Sequence, residues 1–292
     1  MEFEMDLLKD VIIDTLIDSA RIFPFLFLTY LLMEYLEHRA KDKTVHMLKK
    51  AGPFGPIAGA LAGLVPQCGF SAAATSLYAG RIVSLGTLMA VYLSTSDEML
   101  PVLISSQASP KVIFSILAIK FVTGMVAGLI IDTVSRRGKK KEDDEYHIHE
   151  MCESEHCHCE NGIFKSALIH SGKVILFIFV LSLFVNYFMQ YIGVSGIQYV
   201  TIGQSYGVIV LASILGLIPN CAVSVALTQL YAGGMLGEGA LMAGLLVGAG
   251  IGLMVLIRVN RKPLENVKIV ALLWAIGLGV GCLIKALGVT FM

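Results

Sequence analysis

The chain has 292 residues, of which 56% are hydrophobic and only 15% are charged. A soluble domain carries roughly a quarter charged residues, so this composition excludes that class and indicates an integral membrane protein. The formal net charge is zero and says little about partners; we expect a lipid bilayer around the chain and no nucleic acid.

Four apolar segments make up the first half, at 11–33, 54–80, 84–105 and 112–134. Several exceed the ~20 residues that a helix needs to cross the hydrocarbon core. The second segment is interrupted by Pro66, which has no N–H and cannot continue a helical ladder. The part before this break would span roughly 18 Å as a helix, little more than half of a ~30 Å core. We predict a re-entrant hairpin here; limbs that cross obliquely would instead give ten helices in total with the same topology.

The next segment, 135–163, is a charged linker that is dense in His and Cys. Imidazole and thiolate bind Zn²⁺-like or copper-like ions, and cytosolic thiols stay reduced, so we expect no disulfide framework. The spacing matches no defined zinc finger, which favours a flexible metal-binding tether over a solvated charged linker. The candidate peripheral ligands are His147, His149, Cys152, His156, Cys157, His158 and Cys159.

The second half repeats the first. Its apolar segments lie at 166–192, 202–233, 239–257 and 267–289. Residues 216–246 align with 63–93 without a gap, and 16 of the 31 positions are identical. Pro219 is the second helix-breaking proline. A Gly/Pro-interrupted apolar segment in each half of a membrane protein is a pointer to a transporter's binding site. The predicted domains are a first membrane repeat, the linker and a second membrane repeat, over 1–134, 135–163 and 164–292.

Charge placement predicts the topology. Lys and Arg cluster at 39–50, 136–141 and 258–262, and cytoplasmic flanks carry such an excess. If all three clusters are cytoplasmic, the linker is cytoplasmic, the N-terminus lies outside, and the two halves have opposite orientations. The predicted fold is an all-α, multi-pass protein of the cell membrane. It has two inverted-topology repeats of about five hydrophobic segments each, whose Pro-broken hairpins meet near the midplane.

The two Pro-X-Cys tips are the first candidate site. Carbonyls freed by a proline in lipid must be satisfied or must line a cavity. Cysteine sulfur with amide and carbonyl oxygen suits a soft or borderline cation or a thiophilic metalloid. The alternative is that each Cys is a small buried hydrophobe and that the hydroxyls aid helix packing. The predicted substrate ligands are Gln67, Cys68, Ser71 and Thr75 in the first copy, and Asn220, Cys221, Ser224 and Thr228 in the second.

Two carboxylates break the symmetry of the repeat. Asp97 and Glu98 lie in the middle of an apolar helix, whereas the aligned residues 247–251 carry no charge. Ionisable groups at this depth are costly and mark functional sites. They are predicted to bind a divalent ion or to carry a coupling proton; the alternative is that they pair with an intramembrane base, Arg21 or Lys120. The preceding Ser-Thr-Ser and the following proline predict a second helix break here.

Three polar residues of the long first helices are candidate coupling or relay groups. Asp18 and His170 occupy equivalent positions of the repeat, and Glu34 aligns with Asn186. A membrane histidine is a ligand or a proton relay, or else a helix-end group that faces water. Both interpretations stay open for these positions.

In these motifs the chain resembles the ten-helix heavy-metal exporter family of bacteria, whose members are labelled arsenic efflux proteins or manganese transporters. The resemblance rests on residues 63–71, 95–98 and 216–224 and on the His/Cys-rich linker, and it covers nearly the whole chain. It implies export of a metal or metalloid and fixes neither the substrate nor the coupling ion.

We therefore predict a gradient-driven transporter that exports a metal ion or metalloid by alternating access, and not an enzyme. No tightly bound cofactor is expected; metal would be cargo or would bind the linker. Carboxylates and amides suit Mn²⁺, and thiols suit Zn²⁺, Cd²⁺, Cu⁺ or arsenite. The alternatives are a permease for an anion or organic solute, an intramembrane enzyme with a cysteine nucleophile, and a metal sensor built on the linker.

Overall fold

The computed structural model describes most of both halves and individual helical residues outside them. The described residues are 54–66, 69–96, 99–138, 205–260 and 262–291, with helical positions between 12 and 31 and between 164 and 184. All elements with described bounds are α-helices, as the composition predicts for an all-α membrane protein.

Ten helices have described bounds, five in each half. The first half contains α1 (Gly55–Gly63), α2 (Gly69–Ala79), α3 (Leu85–Ser94), α4 (Met99–Ser105) and α5 (Pro110–Gly138). The second half contains α6 (Tyr206–Gly216), α7 (Cys221–Ala232), α8 (Glu238–Val247), α9 (Gly252–Val259) and α10 (Pro263–Ala286). Helices α8, α9 and α10 begin 153 positions after α3, α4 and α5, respectively. The repeat therefore extends from the motif to the helix pattern.

Local sequence accounts for where these helices begin. Ser84 and Ser205 cap α3 and α6, because their hydroxyls accept hydrogen bonds from backbone N–H groups three residues ahead. The two long helices, α5 and α10, begin at Pro110 and Pro263, since proline at the first helical position loses no intrahelical bond. The predicted prolines, Pro66 and Pro219, follow shortly after α1 and α6 end; we call the pairs α1–α2 and α6–α7 the first and second hairpin.

Both helices that follow a hairpin are broken. The predicted break after residue 94 is confirmed, because α3 ends at Ser94 and α4 begins at Met99. The sequence predicted an apolar membrane segment over 239–257 but no break within it, and the structure adds one: α8 ends at Val247 and α9 begins at Gly252. The break falls at glycines, and Gly250 has a φ of +55°, which glycine adopts without steric cost.

Glycine pairs hold the closest helix crossings, α3 with α5 and α8 with α10. A Cβ added at Gly86 would lie 2.2 Å from the carbonyl oxygen of Gly128, and one added at Gly239 would lie 2.5 Å from that of Gly281. The two pairs occupy equivalent positions of the repeat, 153 residues apart. Small residues allow such backbone contact between helices in lipid, so each half is built on the same tight crossing.

Three described stretches are long and apolar enough to cross a membrane: Pro110–Ser135, Glu238–Val259 and Pro263–Ala286. In the most apolar part of the first and third stretches only 22% and 28% of the residues are buried, whereas in the second 83% are buried. Exposed apolar side chains follow one face of α5 at helical spacing: Phe114, Val122, Val126, Ile130 and Val134. The long helices α5 and α10 therefore present apolar surface to lipid, and the broken α8–α9 stretch lies in the interior.

The outer helical segments pack on the hairpin and the broken helix of opposite halves. Ala167 and Val174, from the segment between 164 and 184, share a buried cluster with Ala72 of α2 and Val255 of α9. Helix α2 packs against α9 of the other half, and α7 packs against α4 in the same way. Each hairpin thus contacts the broken helix of the other half.

Candidate functional site

The helix breaks of both halves meet inside the protein. The Ser96 hydroxyl, in the break after α3, donates to the Leu64 carbonyl at the end of α1 over 2.7 Å. In the second half, a Cβ at Gly216 would lie only 2.3 Å from the carbonyl oxygen of Gly244, so α6 ends directly against α8. Hairpin tips and broken helices, where backbone polar groups lack helical partners, are therefore gathered in one region.

A cavity lies where the second hairpin meets both broken helices. Its volume is about 20 Å³, enough for about one water-sized particle. Polar lining comes from Thr95 and Ser96 of the first break and from Asn220 and Ser224 of the second hairpin. Such a wall of hydroxyl and amide groups in an apolar interior can coordinate a small polar or charged particle.

The second copy of the predicted ligand stripe is at this cavity. Asn220 and Ser224 line it, and Thr228 is fully buried one helical turn further along α7. The Asn220 side-chain oxygen accepts from the Ala222 N–H over 2.6 Å and caps α7. The Thr228 hydroxyl donates to the Ser224 carbonyl over 2.6 Å. Asn220 therefore both starts the second limb and faces the cavity.

The first copy of the stripe faces a tyrosine instead. Ser71 and Thr75 are fully buried, and the Thr75 hydroxyl lies 2.6 Å from the Tyr92 hydroxyl of α3. Tyr92 also donates to the Gly252 carbonyl at the start of α9 over 3.1 Å. Sequence reasoning missed Tyr92, although it stands opposite Leu245 in the repeat alignment and is not matched there.

A buried lysine lies against the cavity wall. Lys120 of α5 is 1% exposed, and its ammonium donates to the carbonyl of Leu245, a lining residue, over 2.6 Å. That carbonyl belongs to the last turn of α8, where a cation is favoured by the helix dipole. The equivalent residue of the second half is Leu273. The sequence suggested Lys120 as an alternative partner of the two carboxylates and as an intramembrane base that would suit an anion, so this position is a further candidate.

One end of the molecule is held by charged groups. Arg81, in the turn after α2, forms an ion pair with Glu265 of α10 at 3.1 Å, and the Tyr78 hydroxyl donates to the same carboxylate. Burial opposes the charge of Arg81, but its hydrogen bond and its attraction to Glu265 outweigh burial and raise the pKa of the guanidinium. The Asp132 carboxylate of α5 accepts from the Ser84 hydroxyl and from a backbone N–H at the start of α3.

The opposite end has different contacts. The Lys285 ammonium lies 4.1 Å from the centre of the Tyr206 ring, a cation–π contact. The ring of Tyr231, the repeat equivalent of Tyr78, packs edge-on against Phe291. Its buried hydroxyl has no hydrogen-bond partner within the described part of the chain. The two ends are therefore built from equivalent positions with unequal side chains.

Many predicted site residues lie outside the described residues, or are described without their side chains as at Cys221. Within the described ranges, no three His, Cys, Asp or Glu side chains gather closely enough to hold a metal. The positions to which this statement does not extend are Asp18, Glu34, Gln67, Cys68, Asp97, Glu98, His170, Cys221 and the linker ligands between 147 and 159.

Comparison with known proteins gives one match. The sequence model of a family described as "Putative, 10TM heavy-metal exporter" matches residues 7–197, which is more than half of the chain. The matched region contains the first hairpin, the break after α3 and the linker, and it ends before the second hairpin. No curated protein and no solved structure matches the chain.

Proposed function

Because the chain belongs to this family of ten-helix heavy-metal exporters, a family of multi-pass membrane transporters, we propose that it exports a metal ion or metalloid by alternating access, driven by an ion gradient. The observation that carries the proposal is the cavity where the second hairpin meets the breaks of both halves. Discontinuous helices in transporters form cargo sites in this way, since unwound carbonyls and helix ends supply the ligands.

We propose that the halves are inverted repeats. The Asp132 and Arg81 contacts support this, because they bring the end of α5 and the start of α10 to the same end of the molecule. Helices at equivalent positions of the repeat therefore run in opposite directions. Lys and Arg clusters at 136–141 and 258–262 adjoin that end, which by the positive-inside rule is the cytoplasmic one.

The helix lengths support re-entrant hairpins. The limbs of the first hairpin have 9 and 11 residues, and those of the second have 11 and 12. At 1.5 Å per residue these limbs are roughly 14–18 Å long, about half of a ~30 Å hydrocarbon core. In this proposal each hairpin enters from one face and turns near the midplane, and the two enter from opposite faces.

We propose Cys68 and Cys221, with Asp97 and Glu98, as cargo ligands next to this cavity. Two of them directly follow lining residues in sequence, since Ser96 precedes Asp97 and Asn220 precedes Cys221. Because consecutive Cα atoms are only ~3.8 Å apart, this adjacency in sequence supports the proposal that the two residues contact cargo in the cavity. Thiolate with carboxylate and amide oxygen suits a borderline divalent ion.

Reconstitution into liposomes tests the function. Flux of Mn²⁺, Zn²⁺, Cd²⁺, Cu⁺ and arsenite is measured under a pH gradient of either sign. We expect flux of at least one of them above that of empty liposomes, and a loss of about tenfold or more in Cys68→Ser with Cys221→Ser. Cys282→Ser is the matched control, because Cys282 lies half-buried in α10 and away from the cavity lining. No flux of any of the five under both gradients refutes the proposal.

The buried Lys120 favours a second candidate, a permease for an anion or organic solute. An ammonium directly behind the cavity wall attracts an anion and repels a cation. This candidate predicts that the double cysteine variant transports normally. It also predicts that transport is abolished by neutralising Lys120 or Lys173, a basic residue of the apolar segment 166–192. Metal flux that is lost with the cysteines decides against it.

We propose that the linker binds metal peripherally. Its His and Cys residues between 147 and 159 would buffer or sense metal without lying on the transport path. Deleting 146–160 should then leave partial flux in the liposome assay. A complete loss of function with the membrane part folded would favour a metal sensor built on the linker.

A further inference from the structure

The cavity lies at one of the two positions that the repeat relates to each other. Its lining residues at Leu227, Leu245 and Met99 correspond to Ala74, Tyr92 and Gly252 at the other position, at the constant offset of 153 positions. Two large side chains are thus replaced by small ones, and one leucine is replaced by a tyrosine. The space that the small residues leave is where the tyrosine lies.

Tyr92 fits this space closely. It is completely buried, and a Cβ added at Gly252 would lie 2.8 Å from its ring. Its hydroxyl is held by Thr75 at 2.6 Å and by the carbonyl of Gly252 at 3.1 Å. The phenol therefore fills the volume and also satisfies the polar groups that line it.

We propose that Tyr92 plugs the first-half copy of the cargo cavity, so that the carrier has a single cargo site, at the second hairpin. That the cavity binds cargo rests on the proposed function. That Tyr92 blocks access to the equivalent position in the first half does not. The groups that bond the Tyr92 hydroxyl have counterparts at the cavity of the second hairpin, and we infer that these counterparts contact cargo. The counterparts of Thr75 and Gly252 are Thr228 and Met99, so the Thr228 hydroxyl and the Met99 carbonyl are inferred cargo contacts.

Thiol labelling in the full-length chain tests the plug independently of any cargo. The six native cysteines are replaced by alanine, and a single cysteine is introduced as Ser71→Cys or as Ser224→Cys, the two equivalent positions of the repeat. The purified protein is reacted with methyl methanethiosulfonate in detergent, and the rate is read by mass spectrometry. With Tyr92 in place, Ser224→Cys should react at least tenfold faster than Ser71→Cys.

Reciprocal substitutions then move the plug. Tyr92→Leu should speed labelling of Ser71→Cys at least tenfold, and Leu245→Tyr should slow labelling of Ser224→Cys by the same factor. Tyr92→Phe keeps the ring and should leave Ser71→Cys slow. Equal rates at the two positions with Tyr92 present, or an unchanged rate at Ser224→Cys after Leu245→Tyr, overturns the inference. If Tyr92→Leu does not fold, the Leu245→Tyr arm decides alone. A plug confirmed here stands even if the liposome assay finds no metal flux.

Discussion

Replacing Gly281 by alanine should destabilise the protein by about 1–2 kcal/mol. The new Cβ would lie 2.5 Å from the Gly239 carbonyl oxygen and 2.6 Å from the Ala243 side chain. A relaxed carbon–oxygen contact is roughly 3.3 Å, so α8 and α10 must separate by at least about 0.8 Å at their closest crossing to relieve the carbonyl contact alone. Overpacking costs ~1–3 kcal/mol, and contact with rigid backbone belongs to the upper part of that range. Alanine gains up to ~1 kcal/mol of helix propensity, which offsets only part of the clash.

Gly279→Ala is the matched control for this prediction. It lies two residues away in the same helix, and a Cβ there would have no neighbour within 4 Å. The measurement is the temperature at which half of the detergent-solubilised protein is lost from the monodisperse size-exclusion peak. Gly281→Ala should lower this midpoint by about 2–8 °C, while Gly279→Ala should leave it unchanged or raise it. Equal midpoints for the two variants would refute the tight backbone crossing.

The same thermal assay checks three further predictions. Glu265→Gln removes the ion pair with Arg81, and because both side chains are partly exposed it should cost only ~0.5–1 kcal/mol; a larger loss would contradict solvent screening. Asp132→Ala removes the carboxylate that accepts two hydrogen bonds from the start of α3 and should cost ~1–2 kcal/mol. Asp132→Asn should recover part of this loss; an equal loss in both variants would argue against a stabilising role of these hydrogen bonds. Ser96→Ala leaves the carbonyl at the end of α1 without its donor and should cost ~1–3 kcal/mol. Ser105→Ala, at an exposed site that bonds within its own helix, is its control and should cost nothing measurable.

The helix pattern was largely predictable from sequence, because its causes are local. Prolines at 66 and 219 mark the hairpin turns, and apolar segments mark the helices between polar turns. The break after α3 was predicted from a Ser-Thr-Ser run and a nearby proline. The break after α8 was not, because its glycines are equally typical of close helix packing in lipid. Only the backbone conformation of Gly250 distinguishes the two uses.

The candidate site was predictable in part. Asn220 and Ser224 were predicted from the motif and line the cavity. Tyr92 and Lys120 were not predicted as site residues, since their roles depend on contacts with residues more than a hundred positions away. Such contacts follow from how the halves interlock, which no local pattern encodes. Mismatches between the copies, tyrosine against leucine and lysine against leucine, were the available signal.

The charged contact between Arg81 and Glu265 has no equivalent at the other end, where the corresponding residues are Gly234 and Val112. Two identical halves would exchange conformations between states of equal free energy, and a carrier made of them would rest equally often open to either face. Each unequal pair removes that degeneracy, since about 1.4 kcal/mol corresponds to a tenfold population ratio. Under the proposed alternating access, side chains remote from the cavity would set the side to which the empty carrier is open, and that side could change without altering what the cavity binds.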